Sequence, residues 1–297
     1  MMSHMHLGIV TPVVNLNPRF DPPAWEREGG IAEIAEVACA ADELGYKWMG
    51  CPEHVAVPAS ASDARGGRYW DPVATLSFVA ARTTSIALMP HVVVLGYHHP
   101  LEIVQRYGSL DSASAGRLIL GVGVGSLQPE FELLGATFEG RGEVADDALR
   151  AIRASFAKRM PEYHGPHFSF SDFVVDPSGV QSHVPIWVGG RSMRSFRRAV
   201  ELGDGWVPFG LGFKRLRAVL EDERAVDLLA KRRDNRENFE IVLAPEPPLD
   251  PVGDPEGAAE QVADYGSLGA TGLALRFVHN SREHYLEQLE AMVRVMR

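Results

Sequence analysis

Two short stretches of this chain combine residue types at spacings that can do chemistry. In the first, the apolar run Pro185-Ile186-Trp187-Val188 leads into Gly189-Gly190-Arg191-Ser192. A buried strand that opens through two glycines onto a helix start leaves backbone N–H groups facing outward. The helix dipole and Arg191 add positive charge there, so the turn suits a phosphate. Ser195, three residues on, adds a hydroxyl. A plain strand-to-helix turn with Ser192 as its cap uses the same residues, and both readings stand. In the second stretch, Glu53-His54 follows a short apolar strand. A histidine at a strand end can exchange protons near neutral pH; hydrogen bonding to loop backbone is the plainer role. Cys51 beside His54 hints at a thiol nucleophile, but no third group orients the pair, and a strand-buried thiol is usually inert.

Other chemistries are excluded by pattern. His98 and His99 are adjacent and cannot both face one site on a regular element. No H-E-x-x-H and no clustered Cys/His spacing occurs, so no metal is expected. The run Gly121-Val122-Gly123-Val124-Gly125-Ser126 fails the dinucleotide fingerprint, because Ser126 stands where its third glycine belongs. Neither a nucleophile elbow nor a phosphate-binding P-loop is present. A net charge of −10 argues against nucleic acid as a partner. No apolar run is long enough for a membrane span and no signal-peptide pattern opens the chain. Two cysteines make no disulfide framework, which points to a reducing cytoplasm.

The elements that must position these residues alternate. Short apolar strands are expected at 6–11, 46–50, 86–95, 117–122, 185–188, 204–207, 239–243 and 272–277. Helices follow most of them, among them 31–44, 72–81, one that starts at His98-His99-Pro100, carries Leu101, Val104, Tyr107 and Leu110 inward and is ended by Gly116, then 141–158, 192–202, 213–233, 255–268 and 281–296. Strands apolar on both faces belong to a parallel sheet covered by helices. Eight such units give a (β/α)8 barrel in an α/β chain, with ligands at the strand C-termini; an open doubly wound sheet is the alternative. The stretch Gly116-Arg117-Leu118-Ile119-Leu120-Gly121-Val122-Gly123-Val124-Gly125 is the clearest unit: a turn, a buried strand, then glycines that admit close approach or merely relieve crowding at the mouth. Residues 13–29 and the stretch after His54 through Arg68 read as long functional loops. The chain reads as one domain over 1–297, with a ragged, disordered start over 1–5 and an inserted hairpin region over 160–184.

The run Tyr97-His98-His99-Pro100, Leu110-Asp111, Gly116 to Gly125, Glu130-Phe131 and Arg141-Gly142 resembles the luciferase-like monooxygenase superfamily. Pro185 to Gly190 followed by Leu202-Gly203-Asp204-Gly205-Trp206 is similar to its second common block. With Glu53-His54, the resemblance covers nearly the whole chain in order, and it looks most like the branch that uses the deazaflavin F420. It implies a cofactor ring across the strand C-termini, near Gly123 and Gly125. It also implies a bulge in strand three, often with a non-proline cis peptide, near Val93-Val94. The cofactor phosphate would lie at Gly189, Gly190, Arg191, Ser192 and Ser195, and His54 near the reactive ring edge with Glu53 orienting its loop. Ser126 stands where some sugar-phosphate dehydrogenases of the family carry an acid, and Val124 where luciferases carry an arginine.

The function implied is an oxidoreductase passing hydride between F420 and a small organic substrate in a largely apolar pocket walled by the long loops and the Phe-rich hairpin. Homodimerisation is implied as well. Two alternatives stand beside it: an FMN-dependent monooxygenase fed by a separate reductase, and a non-catalytic flavin-binding relative.

Overall fold

The computed structural model describes residues 5–234 and 238–297. In chain order its strands are β1 His6–Val10, β2 Trp48–Cys51, β3 Ala87–Pro90, β4 Val93–Val94, β5 Leu120–Gly123, β6 Tyr163–His164, β7 Ser169–Phe170, β8 Ile186–Gly189, β9 Gly205–Val207, β10 Glu240–Leu243 and β11 Gly272–Leu275. Nine of them form one parallel sheet in the order β3-β2-β1-β11-β10-β9-β8-β5-β4. The ends of that order meet. Leu88 of β3 bridges to Leu118, just ahead of β5. The Leu88 N–H donates to the Arg117 carbonyl at 2.8 Å, and the Ile119 N–H donates to the Leu88 carbonyl at 3.1 Å. So β3 and β4 are halves of one barrel strand, and the expected (β/α)8 cylinder is formed. The break between the halves is at His91–Val92, whose peptide bond is cis. The expectation near Val93–Val94 is thus corrected to the preceding pair.

Helix starts follow the local chemistry. Asp71 caps the helix Pro72–Ala80 by accepting from the Ala74 N–H at 2.8 Å, with proline in the first turn. His99 caps Pro100–Ala113 through Nδ1, which accepts from the Leu101 N–H. Three departures have physical causes. The expected loop before Arg68 contains a helix, Ala59–Arg65, that buries no residue and so carries no apolar stripe to read. The expected helix 213–233 is two, Phe213–Leu220 and Glu223–Asp234, divided where the Asp222 carboxylate accepts from the Arg224 N–H. The expected loop after Gly125 holds a short helix, Gln128–Leu133.

Two apolar layers hold the barrel. The larger lies between sheet and helices and includes Ile34, Leu76, Val93, Val122, Val188 and Phe196. The smaller fills the cylinder: Trp48, Met89, Trp187, Val207, Val242 and Ala274, with Val92 packed against it. Trp48 and Trp187 meet edge to face at 5.1 Å. β6 and β7 form a separate antiparallel pair. Phe168 and Phe170 of that hairpin pack on His99, whereas Phe173 to Val175 form no strand. Met5 packs against the larger core; the rest of the expected ragged start, residues 1–4, lies outside the described residues. Among these, no helix is long and apolar enough to cross a membrane.

Candidate active site

A cavity of about 620 Å3 opens over the C-terminal ends of the barrel strands. Residues at or just beyond all eight barrel strands line it, as the fold predicts for a ligand site. A larger cavity, about 870 Å3, lies at the opposite end, beside Ile119, Pro185 and Asp204. Of the acids that line it, Asp204 is already paired with Arg153 at 2.6 Å and accepts from the Ile186 N–H at 2.8 Å, and the cavity lies at the end of the barrel away from the strand C-termini.

The floor of the upper cavity is the break in the third barrel strand. Val92 points into the barrel between β5 and β8. A Cβ added to Gly123 would stand 2.7 Å from Val92 Cγ2, and one added to Gly189 would stand 3.1 Å from Val92 Cγ1. These glycines therefore make room for the chain's own wedge as well as lining the cavity. Val94 lines the cavity, but Val93 does not; it is wholly buried in the layer facing the helices. Val92 is the bulge residue that the sequence reading missed. Gly125 lines the mouth beside Val124 and Ser126.

Glu53 and His54 leave β2 together and diverge. Glu53 is buried, and its carboxylate accepts from the Val94 N–H at 2.7 Å and from His98 Nε2 at 2.9 Å. It thus ties β2 to the bulged strand rather than orienting the loop that carries His54. His98 also reaches Glu102 through Nδ1 at 3.1 Å. Burial pulls its pKa down, but the Glu53 and Glu102 carboxylates outweigh that and hold it above the ordinary histidine value.

His54 is oriented not by its neighbour Glu53 but by Glu130 on the helix Gln128–Leu133. Its Nδ1 lies 2.6 Å from Glu130 Oε2, to which the Tyr97 hydroxyl also donates at 2.7 Å. Glu130 Oε1 accepts from the N–H groups of Val55 and Ala56. Burial raises the pKa of Glu130, while Tyr97, His54 and the Ala56 N–H together more than reverse this, leaving it below the usual carboxylate value. An ionised Glu130 can only accept, so Nδ1 is the ring nitrogen that donates to it. Nε2 has no hydrogen-bond partner among the described residues, and His54 lines the cavity. This is an imidazole held by a carboxylate with its other nitrogen open to the cavity, an arrangement that can exchange a proton with a ligand. The Tyr69 ring packs edge-on against it at 4.6 Å. Cys51 is buried, and burial pushes its thiol up to about 12, so it is no nucleophile here.

Across the mouth stands the turn after β8. Ser192 caps the helix Met193–Leu202, accepting from the Ser195 N–H, and the Ser195 hydroxyl is turned back onto Ser192. So the capping role is real. It still leaves the N–H groups of Gly190, Arg191, Met193 and Arg194 without hydrogen-bond partners among the described residues. Gly190 has φ 121°, and a Cβ there would meet Ser195 at 2.6 Å. Arg194 has no side-chain partner, and Arg191 has only the Phe209 face at 5.6 Å. Seven arginines line the cavity against two glutamates, a concentration of positive charge in a chain of net −10. Unpartnered N–H donors, free guanidinium groups and a cavity of this size fit a cofactor with an anionic tail and a flat ring. Among the described residues, no group of three or more His, Cys, Asp or Glu could hold a metal.

The loops after β1 and β2 reach the cavity through Asn15, Asn17, Phe20, Arg65 and Tyr69, as expected. No residue of the 160–184 region lines it, so the hairpin does not wall this pocket.

The fold agrees with comparisons to known proteins. An uncharacterized protein of Mycobacterium tuberculosis is 28% identical over 186 residues, 58% of this chain and 66% of that one. An F420-dependent secondary alcohol dehydrogenase in complex with an F420–acetone adduct superposes with a TM-score of 0.76 at 11% identity, covering 99% of this chain and 100% of that one. The oxygenating constituent of 3,6-diketocamphane monooxygenase from Pseudomonas putida, in complex with FMN, superposes with a TM-score of 0.72 at 15% identity, covering 99% and 98%. At such identities the two structures speak for the fold alone. The family model for luciferase-like monooxygenases matches residues 5–250, and with that match the chain belongs to the luciferase-like monooxygenase family.

Proposed function

We propose that this chain is an F420-dependent oxidoreductase acting on a small organic substrate. The observation that carries the reading is the pairing across one mouth of an anion cradle at Gly190–Arg194 with a carboxylate-held imidazole at His54. When bound, the deazaflavin supplies hydride transfer. The chain's part is to place and hold. Unpartnered N–H groups after β8 receive the phosphodiester, and the exposed Arg191 and Arg194 carry positive charge on past the turn. F420 continues beyond its phosphate into carboxylates, whereas FMN ends there; those two arginines favour F420. Val92 and Val94 offer an apolar seat for the ring. His54 Nε2 takes up or returns the proton that accompanies hydride transfer, with Glu130 stabilising the charge on the imidazole. Tyr69 and the loop after β1 shield this from water.

The test is titration of the purified protein with F420 and with FMN, following fluorescence quenching. Saturable F420 binding that His54→Gln leaves intact, with turnover lost, is expected. Tight FMN binding without F420 binding overturns the F420 assignment and favours a two-component FMN monooxygenase. Turnover untouched by His54→Gln removes the catalytic role of that residue.

A further inference from the structure

We infer that Arg276 is the anchor for a carboxylate on the substrate, so that the enzyme's substrates are organic acid anions. The inference rests on the oxidoreductase reading above and names its substrate class.

Arg276 directly follows β11, and its side chain lines the cavity. In the closed order of the barrel, β8 lies four strands from β1 in either direction. His54 follows β2 and Arg276 follows β11, the two neighbours of β1. The histidine and the arginine therefore flank the same side of the mouth, across from the anion cradle. A ligand whose tail occupies the cradle leaves this side to the substrate.

The guanidinium has no polar partner within the protein. Among the described residues it makes no hydrogen bond and no ion pair; its recorded contact is the face of Phe20, 4.6 Å from the ring centroid. Stacking on an aromatic face fixes the guanidinium plane and leaves its N–H edges open. The carboxylates whose charge it feels are engaged elsewhere. Glu26 accepts from the Val13 N–H at 3.0 Å and lies 3.2 Å from His279 Nε2. Glu246 is paired with Arg19 at 3.0 Å. Burial lowers the pKa of Arg276, as expected of a cation removed from water without a counter-ion.

His91, at the strand break, belongs to the same cavity wall, and its Nε2 is buried with no partner. Burial, with the Arg276 charge adding to it, holds its pKa at about 4, so it brings no second positive charge to this side of the mouth. The binding of an anion here therefore falls to the guanidinium. The fork of an arginine matches both oxygens of a carboxylate.

The experiment compares acids with their neutral amides: benzoate against benzamide and hexanoate against hexanamide, by calorimetry, with and without bound cofactor. The wild type is expected to bind the acids at least tenfold more tightly than the amides. Arg276→Gln should abolish that discrimination and Arg276→Lys should keep part of it, while F420 or FMN affinity changes less than threefold in either. Equal binding of acid and amide by the wild type, or no binding of either, overturns the inference without need of a variant. So does discrimination that survives Arg276→Gln. A loss of cofactor affinity in Arg276→Gln, with acid binding unchanged, assigns the residue to the cofactor instead. Failure of the wild type to bind F420 and FMN would sink the oxidoreductase reading separately, because the acid–amide comparison is made without cofactor too.

Discussion

His54 and Glu130, 76 residues apart in sequence, meet at 2.6 Å between Nδ1 and Oε2 at the rim of the barrel. The contact sets which nitrogen of His54 faces the cavity. Glu130→Gln keeps the shape and removes the charge. A hydrogen bond to a charged group is worth about 1.5–3 kcal/mol, so turnover should fall by about 10- to 150-fold, with cofactor affinity nearly unchanged. Steady-state kinetics alongside fluorescence titration tests this; unaltered turnover would show the carboxylate to be idle.

The same carboxylate has a pH signature. Its folded pKa lies below the ordinary value of 4.5, so the folded state binds the proton less readily than the unfolded one. Its stabilisation is fully present above pH 4.5 and is lost as pH falls through the folded value. Melting temperatures of wild type and Glu130→Gln should therefore differ most at neutral pH and converge in acid. A gap that widens on acidification contradicts this sign.

The wedge under the cavity predicts a compensating pair. Gly123→Ala places a methyl 2.7 Å from Val92 Cγ2, and overpacking of that kind costs about 1–3 kcal/mol. Val92→Ala should recover much of the loss in the double variant, measured by urea unfolding. Additive losses would mean that the two side chains do not press on each other.

Arg191 and Arg194 stand exposed beside the unpartnered N–H groups. Replacing either by alanine should weaken cofactor binding by about three- to tenfold at low salt, less at high salt as screening grows. Fluorescence titration at two ionic strengths measures it. A salt-independent loss points to damage of the turn itself.

Much of this was legible in the chain. The turn at Gly189–Ser192 announces itself because its donors come from consecutive backbone atoms, and the barrel follows from the alternation of buried strands with helices. The role of Glu130 was not legible, although Glu130-Phe131 belongs to the family-like run. Its partners come from the loop after β2 and from Tyr97, which only the closed barrel brings near. A signal existed: Gln128-Pro129-Glu130-Phe131 has proline near a helix start and a glutamate beside an apolar anchor. Val92 was overlooked in favour of Val93 because alternation alone does not say which valine turns inward once a strand is interrupted. Arg276 falls inside the strand expected at 272–277, where nothing in the sequence marks it; that it lies just past the strand end and has no counter-ion are properties of the assembled mouth.

One carboxylate moors both the imidazole and the loop behind it, since the N–H groups of Val55 and Ala56 hang on the oxygen next to the one that holds His54. A displacement of that loop large enough to let a bulky molecule through would tug on the same tether. The position of the loop and the orientation of the imidazole are thereby coupled through a single side chain.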